Sequence, residues 1–210
     1  MGNIKALEWR YATKKFDAEK ELTSEKIEIL KKAFNLTATS YGLQPLKLVM
    51  VKNKKLQEQL QNFSFNQQQV GTASHVLIIC IEKKVGKEFI ENYFKLVKHV
   101  RETPEEILAP FKEFLIGDFE AKASAEITEW AINQAYLSLG NLLTVCAIEE
   151  IDACPMEGFQ PDEYDKLLKL EERNLRSVLV LPVGYRAGDD MFSNFKKVRR
   201  PLEDVIIEID

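Results

Sequence analysis

A run of helical pattern from about Ala123 to Glu150 constrains this chain most, because apolar residues occupy nearly its whole circumference. Trp130, Tyr136, Leu139, Leu143 and Cys146 mark its length, and a helix this apolar needs cover on more than one side. A chain of 210 residues has difficulty supplying that cover alone, so the pattern predicts a central helix shared with a second copy, that is, a homodimer. The stretch that follows is Ile151-Asp152-Ala153-Cys154-Pro155-Met156-Glu157-Gly158-Phe159. Its proline stops the helix, lacking an N–H and disfavouring helix in the residue before it. Gly158, without a Cβ, lets the backbone turn or come close to a flat ligand. On spacing alone two readings stand: a helix stop with a turn, or a loop that presents N–H groups to a ring.

The remaining elements are read from periodicity and caps. Asn3 is expected to cap a short helix reaching Arg10, with Ile4, Leu7 and also Ala6 inward; Thr23 caps a second, whose Ile27, Leu30 and Phe34 keep the spacing of a buried stripe. Leu46 to Val51 reads as a short strand, His75 to Ile81 as a fully buried one, and Ser177 to Tyr185 as another. Asn53 leads into a helix between the first two strands. Gly86 to about Gly117 reads as two helical pieces broken near Thr103-Pro104, with Thr103 and Glu106 as a capping box. Pro161 starts a short helix ending near Leu170. The segment TATSYGLQP is loop chemistry, and the polar run Asn66 to Gln69 reads by composition as a solvated loop. Val205 to Ile209 alternates like a strand and is expected to join its own sheet or a partner's. With no repeat, linker or low-complexity segment, the chain is expected to be a single domain, 1–210.

Composition excludes several classes. Twenty-nine Lys+Arg against 33 Asp+Glu give a net charge of −4, which does not suggest a nucleic-acid binder. No apolar run is expected to reach membrane-spanning length, and Met1 to Arg10 has no uninterrupted apolar stretch of signal type. Cys80, Cys146 and Cys154 show no metal-ligand spacing, and only His75 and His99 could add imidazole, so no metal site is expected and reduced thiols in the cytoplasm are the simplest account. The cations are unevenly placed. Arg10, Lys14 and Lys15 lie near one end and Lys196, Lys197, Arg199 and Arg200 near the other. Charge runs are commonly solvated faces, but two such clusters could also hold one phosphate.

Several motifs occur together in a fixed order: R-x-x-x-K-x-F as Arg10, Lys14 and Phe16; TSYGLQP, and further on Asn66; PMEGF; the strand VLVLPVGY; and K-x-R-R-P as Lys197, Arg199, Arg200 and Pro201. Each is weak alone, but the ordered set resembles the nitroreductase family of flavin oxidoreductases across nearly the whole chain. The resemblance implies an α+β fold with a central, mostly antiparallel sheet flanked by helices. It also implies a homodimer whose C-terminal strand is exchanged and an FMN at each subunit interface. By the same resemblance, Arg10, Lys197 and Arg199 neutralise the phosphate, with Tyr11 and Ala12 in the same segment. Lys14, Asn66 and Gln69 address the pyrimidine edge, and Thr39 and Ser40 reach in from the other subunit. Pro155 and Met156 stack on one ring face, and the N–H groups around Glu157 and Gly158 meet N5 and O4. Phe111, Phe114 and Phe119, with Ile116, are candidates for a substrate lid.

The implied activity passes hydride from NADH or NADPH through the flavin to nitroaromatic, quinone or pteridine acceptors, small molecules taking turns at one open face in a ping-pong cycle. No side chain need act as a nucleophile, which agrees with the absence of a Ser-His-Asp or Cys-His arrangement. Two departures from the family pattern stand out. Ala12 replaces a usual serine, and Gln69 replaces a usual cation, which predicts a lower flavin potential. An FMN storage protein, a specialised flavin enzyme for flavin breakdown or dehalogenation, and a protein whose helices only dimerise are the rival readings.

Overall fold

A computed structural model describes residues 2–209. Four strands form one antiparallel sheet in the order β1-β2-β4-β3: β1 Leu46–Val51, β2 His75–Glu82, β3 Asp152–Ala153 and β4 Leu175–Gly184. β2 and β4 hold the centre. β2 has no polar face because both sides of the sheet are covered: Leu77, Ile79 and Ile81 enter one cluster and Val76, Ile78 and Cys80 the other.

The first cluster is closed by α7, Ser124–Ile148, whose Ala131, Ala135, Leu139, Leu142 and Cys146 lie on the sheet, and by Leu30 of α2, Ser24–Asn35. Small residues at positions 131, 135 and 138 let α7 approach closely, and a buried leucine such as Leu142 adds about 1.5–3 kcal/mol. The second cluster is closed by α3 (Lys54–Asn62), α4 (Gln68–Thr72) and α8 (Pro161–Leu167), through Leu60, Val70 and Tyr164. A satellite core joins α5, Lys87–Arg101, to α6, Glu105–Ala121, around Ile90, Phe94, Leu115 and Phe119.

Several expectations hold. Thr23 caps α2 through its side chain, accepting from Lys26 N–H, and Asn53 leads into α3, which it also caps by accepting from Leu56 N–H. The three cysteines are free and buried. His75, the first residue of the buried strand β2, is itself buried and hydrogen-bonded through Nδ1 to Ser74 Oγ at 2.9 Å.

Others are corrected. The first helix, α1 (Asn3–Trp9), is capped by Gly2, and Ile4 and Leu7 point outward while Ala6 is buried, so the inward stripe of α1 is one alanine wide. The residue before α6 is Pro104 with no side-chain cap; Glu102 takes a left-handed turn instead, and the Thr103–Glu106 capping box does not form. The glutamine run is a short helix with Gln69 buried, not a solvated loop. Of the two alternatives for Val205 to Ile209, only pairing with its own sheet is corrected: the run forms no strand within this chain, and its side chains are exposed. α7 is also long and apolar enough, by length and composition, to cross a membrane, contrary to the sequence expectation. Its buried side lies on the sheet and α2.

Candidate functional site

The site is built where two extended segments pass the β3 edge of the sheet. The first leaves α1 at Arg10, whose N–H still donates to Ala6 O, and runs extended through Phe16. Ala12 bridges Ala153 in parallel, and Phe16 bridges Arg186. Asp190 fixes this segment: it accepts from Tyr11 Oη and Lys14 N–H at 2.9 Å and from Lys15 N–H at 3.2 Å, all on Oδ2. Burial opposes ionisation of Asp190, but these hydrogen bonds outweigh it and hold the carboxyl below its ordinary range. Next to it, Arg186 pairs with buried Asp152 through Nε at 2.7 Å and lies between the rings of Trp9 and Tyr11 at 4.3 and 4.6 Å.

The second segment continues β3. Cys154 N–H donates to Pro182 O and Met156 N–H to Val180 O, so alternate residues pair with β4. Pro155 occupies the intervening position, which needs no donor toward the sheet, and therefore sits safely on the edge. The same alternation turns Met156 into the core, where it is 5% exposed. Met156 thus offers no face to a ligand; Pro155 does.

Beyond it the chain turns at Glu157 and Gly158. Phe159 N–H donates to Glu157 O at 2.9 Å, Gln67 Nε2 donates to Gly158 O at 2.9 Å, and Tyr136 Oη of α7 donates to Glu157 Oε1 at 2.7 Å. Every acceptor of the turn named here is engaged by the protein, whereas among the described residues the N–H groups of Glu157 and Gly158 meet no protein acceptor. They form a pair of free, exposed donors.

Between the two segments and the C-terminal tail lies a cavity of about 470 Å³, within the usual range of a small-molecule site. Arg10, Tyr11, Ala12, Lys14 and Pro155 of the two segments line it together with Phe192, Phe195, Lys196, Lys197 and Arg199 of the tail and Glu8 of α1, and Lys197 Nζ donates to Arg10 O. Among the described residues no carboxylate stands within ion-pair distance of Arg10, Lys14, Lys197 or Arg199. Burial and then Arg199 pull Arg10 below its ordinary value, and burial, Arg10 and Arg199 do the same to Lys197. Cations that hold one another down in this way without a carboxylate favour an anion.

Lys14 reaches deeper, its Nζ 3.9 Å from Cys154 Sγ, and Gln69 Nε2 approaches the same sulfur at 3.9 Å. Burial raises the Cys154 thiol, with Lys14 only partly opposing it, so this is a neutral packed thiol rather than a nucleophile.

The sequence-derived set divides accordingly. Arg10, Tyr11, Ala12, Lys14, Pro155, Lys197 and Arg199 share the cavity, and Gln69 joins them through Cys154. Asn66 is exposed, in a left-handed backbone, one residue before Gln67. Thr39 lies on a separate hollow of about 390 Å³, and Ser40 N–H is held by buried Gln134 of α7 at 2.8 Å; neither reaches the cation cavity within one chain. Phe111 and Phe114 are exposed and stacked at 6.3 Å, but Phe119 is 2% exposed, wedged on Trp130 at 5.1 Å, and is core rather than lid.

Sequence reasoning missed Asp190, Gln67 and Phe65. Phe65 is 63% exposed, and its ring edge stands 3.9 Å from where a Gly158 Cβ would be. Its left-handed φ of 53°, followed by Asn66 at 57°, marks a strained corner beside the turn.

Residues 7–185 match the family model described as "Nitroreductase family". The Bacillus subtilis protein YfkO, designated an NAD(P)H nitroreductase, is 30% identical over 214 residues, covering 97% of this chain and 95% of its own. A Staphylococcus haemolyticus protein, SH0546, of the same designation is 33% identical over 212 residues, with 97% and 95% covered. Among solved structures, Bacillus subtilis ydfN superposes with a TM-score of 0.87 at 18% identity over 98% of each chain. An Exiguobacterium sibiricum protein of nitroreductase designation, solved in complex with FMN, superposes at 0.85 and 19% identity, over 100% of this chain and 98% of that one. At these identities the superpositions establish the fold, the α+β arrangement with an antiparallel sheet.

Proposed function

The chain belongs to the nitroreductase family, and from that premise we propose that it is an FMN-dependent oxidoreductase that passes hydride from NADH or NADPH to small acceptors of the nitroaromatic, quinone or pteridine type. The observation that carries this reading is a cavity lined by unpaired cations whose Pro155 wall runs directly into a turn with two free N–H donors. Arg10, Lys197 and Arg199 suit a phosphate, which guanidinium groups grip with parallel hydrogen bonds. The free N–H groups of Glu157 and Gly158 suit the heteroatom edge of a flat ring, and Pro155 suits its face. Lys14 supplies positive charge, and Gln69 an amide, for the pyrimidine end.

Held by Arg10, Lys197 and Arg199 at its phosphate and by Lys14 and Gln69 at its pyrimidine end, FMN would supply the hydride-transfer chemistry of the proposed ping-pong cycle. The protein's own part is binding, orientation and electrostatics. Asp190 holds the backbone of Lys14, so that the cation is delivered from a fixed segment. Tyr136 keeps the Glu157 carboxylate turned toward α7, and Phe65, with exposed Phe111 and Phe114, offers aromatic surface for a flat acceptor. No nucleophile is required, and the buried Cys154 does not serve as one.

The working unit in this reading is a homodimer in the cytoplasm. Thr39 and Ser40, remote from the cation cavity in one chain, complete it from a second copy, and the exposed apolar run Val205 to Ile209 exchanges onto that copy. The test is the visible absorption spectrum of the purified protein, before and after anaerobic addition of NADH or NADPH. A flavin spectrum bleached within seconds is expected and names the donor. Flavin that neither nucleotide bleaches points to FMN storage, and no flavin after incubation with FMN refutes the reading.

A further inference from the structure

Gln67 stands at the start of α4, its carbonyl accepting from Val70 N–H at 3.2 Å, so its backbone is fixed to that helix. Its amide spans two groups that approach it from different parts of the chain. Nε2 donates to Gly158 O at 2.9 Å across 91 residues, and Oε1 accepts from Gln69 Nε2 at 3.0 Å.

The orientation of both amides follows from the carbonyl at one end. Gly158 O can only accept, so Gln67 must turn its NH2 group to it; Gln67 Oε1 then faces Gln69 and can only accept; Gln69 must therefore answer with its own NH2. That choice sends Gln69 Nε2 toward Cys154 Sγ as well, the atom that Lys14 Nζ also approaches.

Gly158 is matched to this contact. A Cβ there would stand 3.1 Å from Gln67 Nε2, tighter than side chains tolerate without shifting, so glycine is what admits the amide. The Gly158 carbonyl is thereby tied, and with it the tilt of the turn that carries the Glu157 and Gly158 N–H donors.

We propose that Gln67 is a positioning residue for the flavin: one side chain couples the amide at the pyrimidine end, Gln69, to the N–H donors of the Glu157–Gly158 turn, so that neither end can be set without the other. This rests on the FMN reading above. Gln67 acts through Gln69 and Gly158 rather than on the flavin itself.

The test titrates the full chain, stripped of flavin, with FMN, for the parent, Gln67→Leu, Gln69→Leu and the double variant, and measures the midpoint potential of the bound flavin in each. Gln67→Leu is expected to raise the FMN dissociation constant roughly three- to tenfold, the range of one or two neutral hydrogen bonds. The double variant should be no weaker than the weaker single one, and the potential should move alike in both singles and no further in the double. A merely structural role for Gln67 would lower the melting temperature of the stripped chain and leave the potential in place. Additive effects on affinity and potential, or FMN binding and potential unchanged in Gln67→Leu, overturn the coupling while leaving FMN binding by the parent intact. Failure of the parent to bind FMN overturns the flavin reading and this proposal together. Because Gln67→Leu could disturb α4, Gln67→Glu provides a second variant; it keeps an acceptor for Gln69 but cannot donate to Gly158 O. Parent-like affinity in Gln67→Glu likewise overturns the proposal.

Discussion

Asp190 gathers donors from both sides of the site: Tyr11 Oη, the N–H groups of Lys14 and Lys15, and Phe192 N–H at 3.2 Å on Oδ1. Asp190→Asn leaves one of those donors facing an NH2 group and is expected to cost about 1–3 kcal/mol. The native carboxyl lies below its ordinary value, so its stabilisation is complete above the ordinary aspartate value near 4 and is lost as pH falls through the lowered native value. Urea unfolding from about pH 7 down to about pH 3 should therefore lose stability more steeply in the parent than in the asparagine variant; equal slopes would show that Asp190 is not the group responsible. Gln69 gives a second prediction. It is 3% exposed and shares Cys154 Sγ with Lys14, so Gln69→Lys brings two cations together. The stripped chain should lose stability, while the potential of bound flavin should rise, because added positive charge favours the reduced anion; potentiometric titration reads the sign. Neither Asp190 nor Gln67 was legible in the sequence, since their partners lie 179 and 91 residues away and a polar residue in a loop carries no periodicity. Arg10, Lys14 and Lys197 were legible because cations concentrate at both ends of an acidic chain.

At the scale of elements, legibility tracks burial. β2 and β4 announced themselves because both faces are covered and nearly every residue is apolar. β3 spans two residues and leaves no pattern, yet it forms the edge of the sheet beside which the candidate site is built. Val205 to Ile209 has the pattern of a strand without a partner in its own chain. α1 misled because Ile4 and Leu7 sit at helical spacing on a face that is exposed here. The junction of β3 and β4 is where the sheet meets the site. Asp152 pairs with Gly184, and a Cβ on Gly184 would meet Ser74 N at 3.0 Å and Phe16 Cδ1 at 3.1 Å. Both neighbours are rigid, one being backbone and the other a ring that is 1% exposed. Gly184→Ala should therefore cost about 1–3 kcal/mol, the usual range for overpacking, and should also loosen Arg186, two residues on, from Asp152. Thermal unfolding gives the first effect. Crystal or NMR inspection of the Arg186–Asp152 pair gives the second, and an unmoved pair would confine the damage to the core.

For the molecule as a whole, the decisive surface is the outward side of α7. Tyr136, Leu137 and Ile148 are 44%, 55% and 37% exposed, and nothing lies within 4 Å of a Cβ placed on Gly140 between them. Positions 137, 140, 144 and 148 follow helical spacing, so they form a continuous strip that a second helix could approach closely. The same helix fixes both halves of the proposed composite site: Gln134 holds Ser40, and Tyr136 holds Glu157. A dimer built on this strip would deliver one chain's Thr39–Ser40 loop to the other's cation cavity, linking assembly to cofactor binding. Leu137→Glu separates the two scales. As an exposed substitution it should change the stability of a lone chain by no more than about 0.5 kcal/mol. In a dimer it would bury a charge against an apolar strip, which is strongly unfavourable unless paired. Light scattering after size exclusion should then show the parent at twice the chain mass of 24.2 kDa and the variant at that mass, with flavin lost from the variant in parallel. A variant that stays dimeric would place the interface elsewhere, and a monomeric variant that retains flavin as tightly as the parent would mean that one chain suffices for the site.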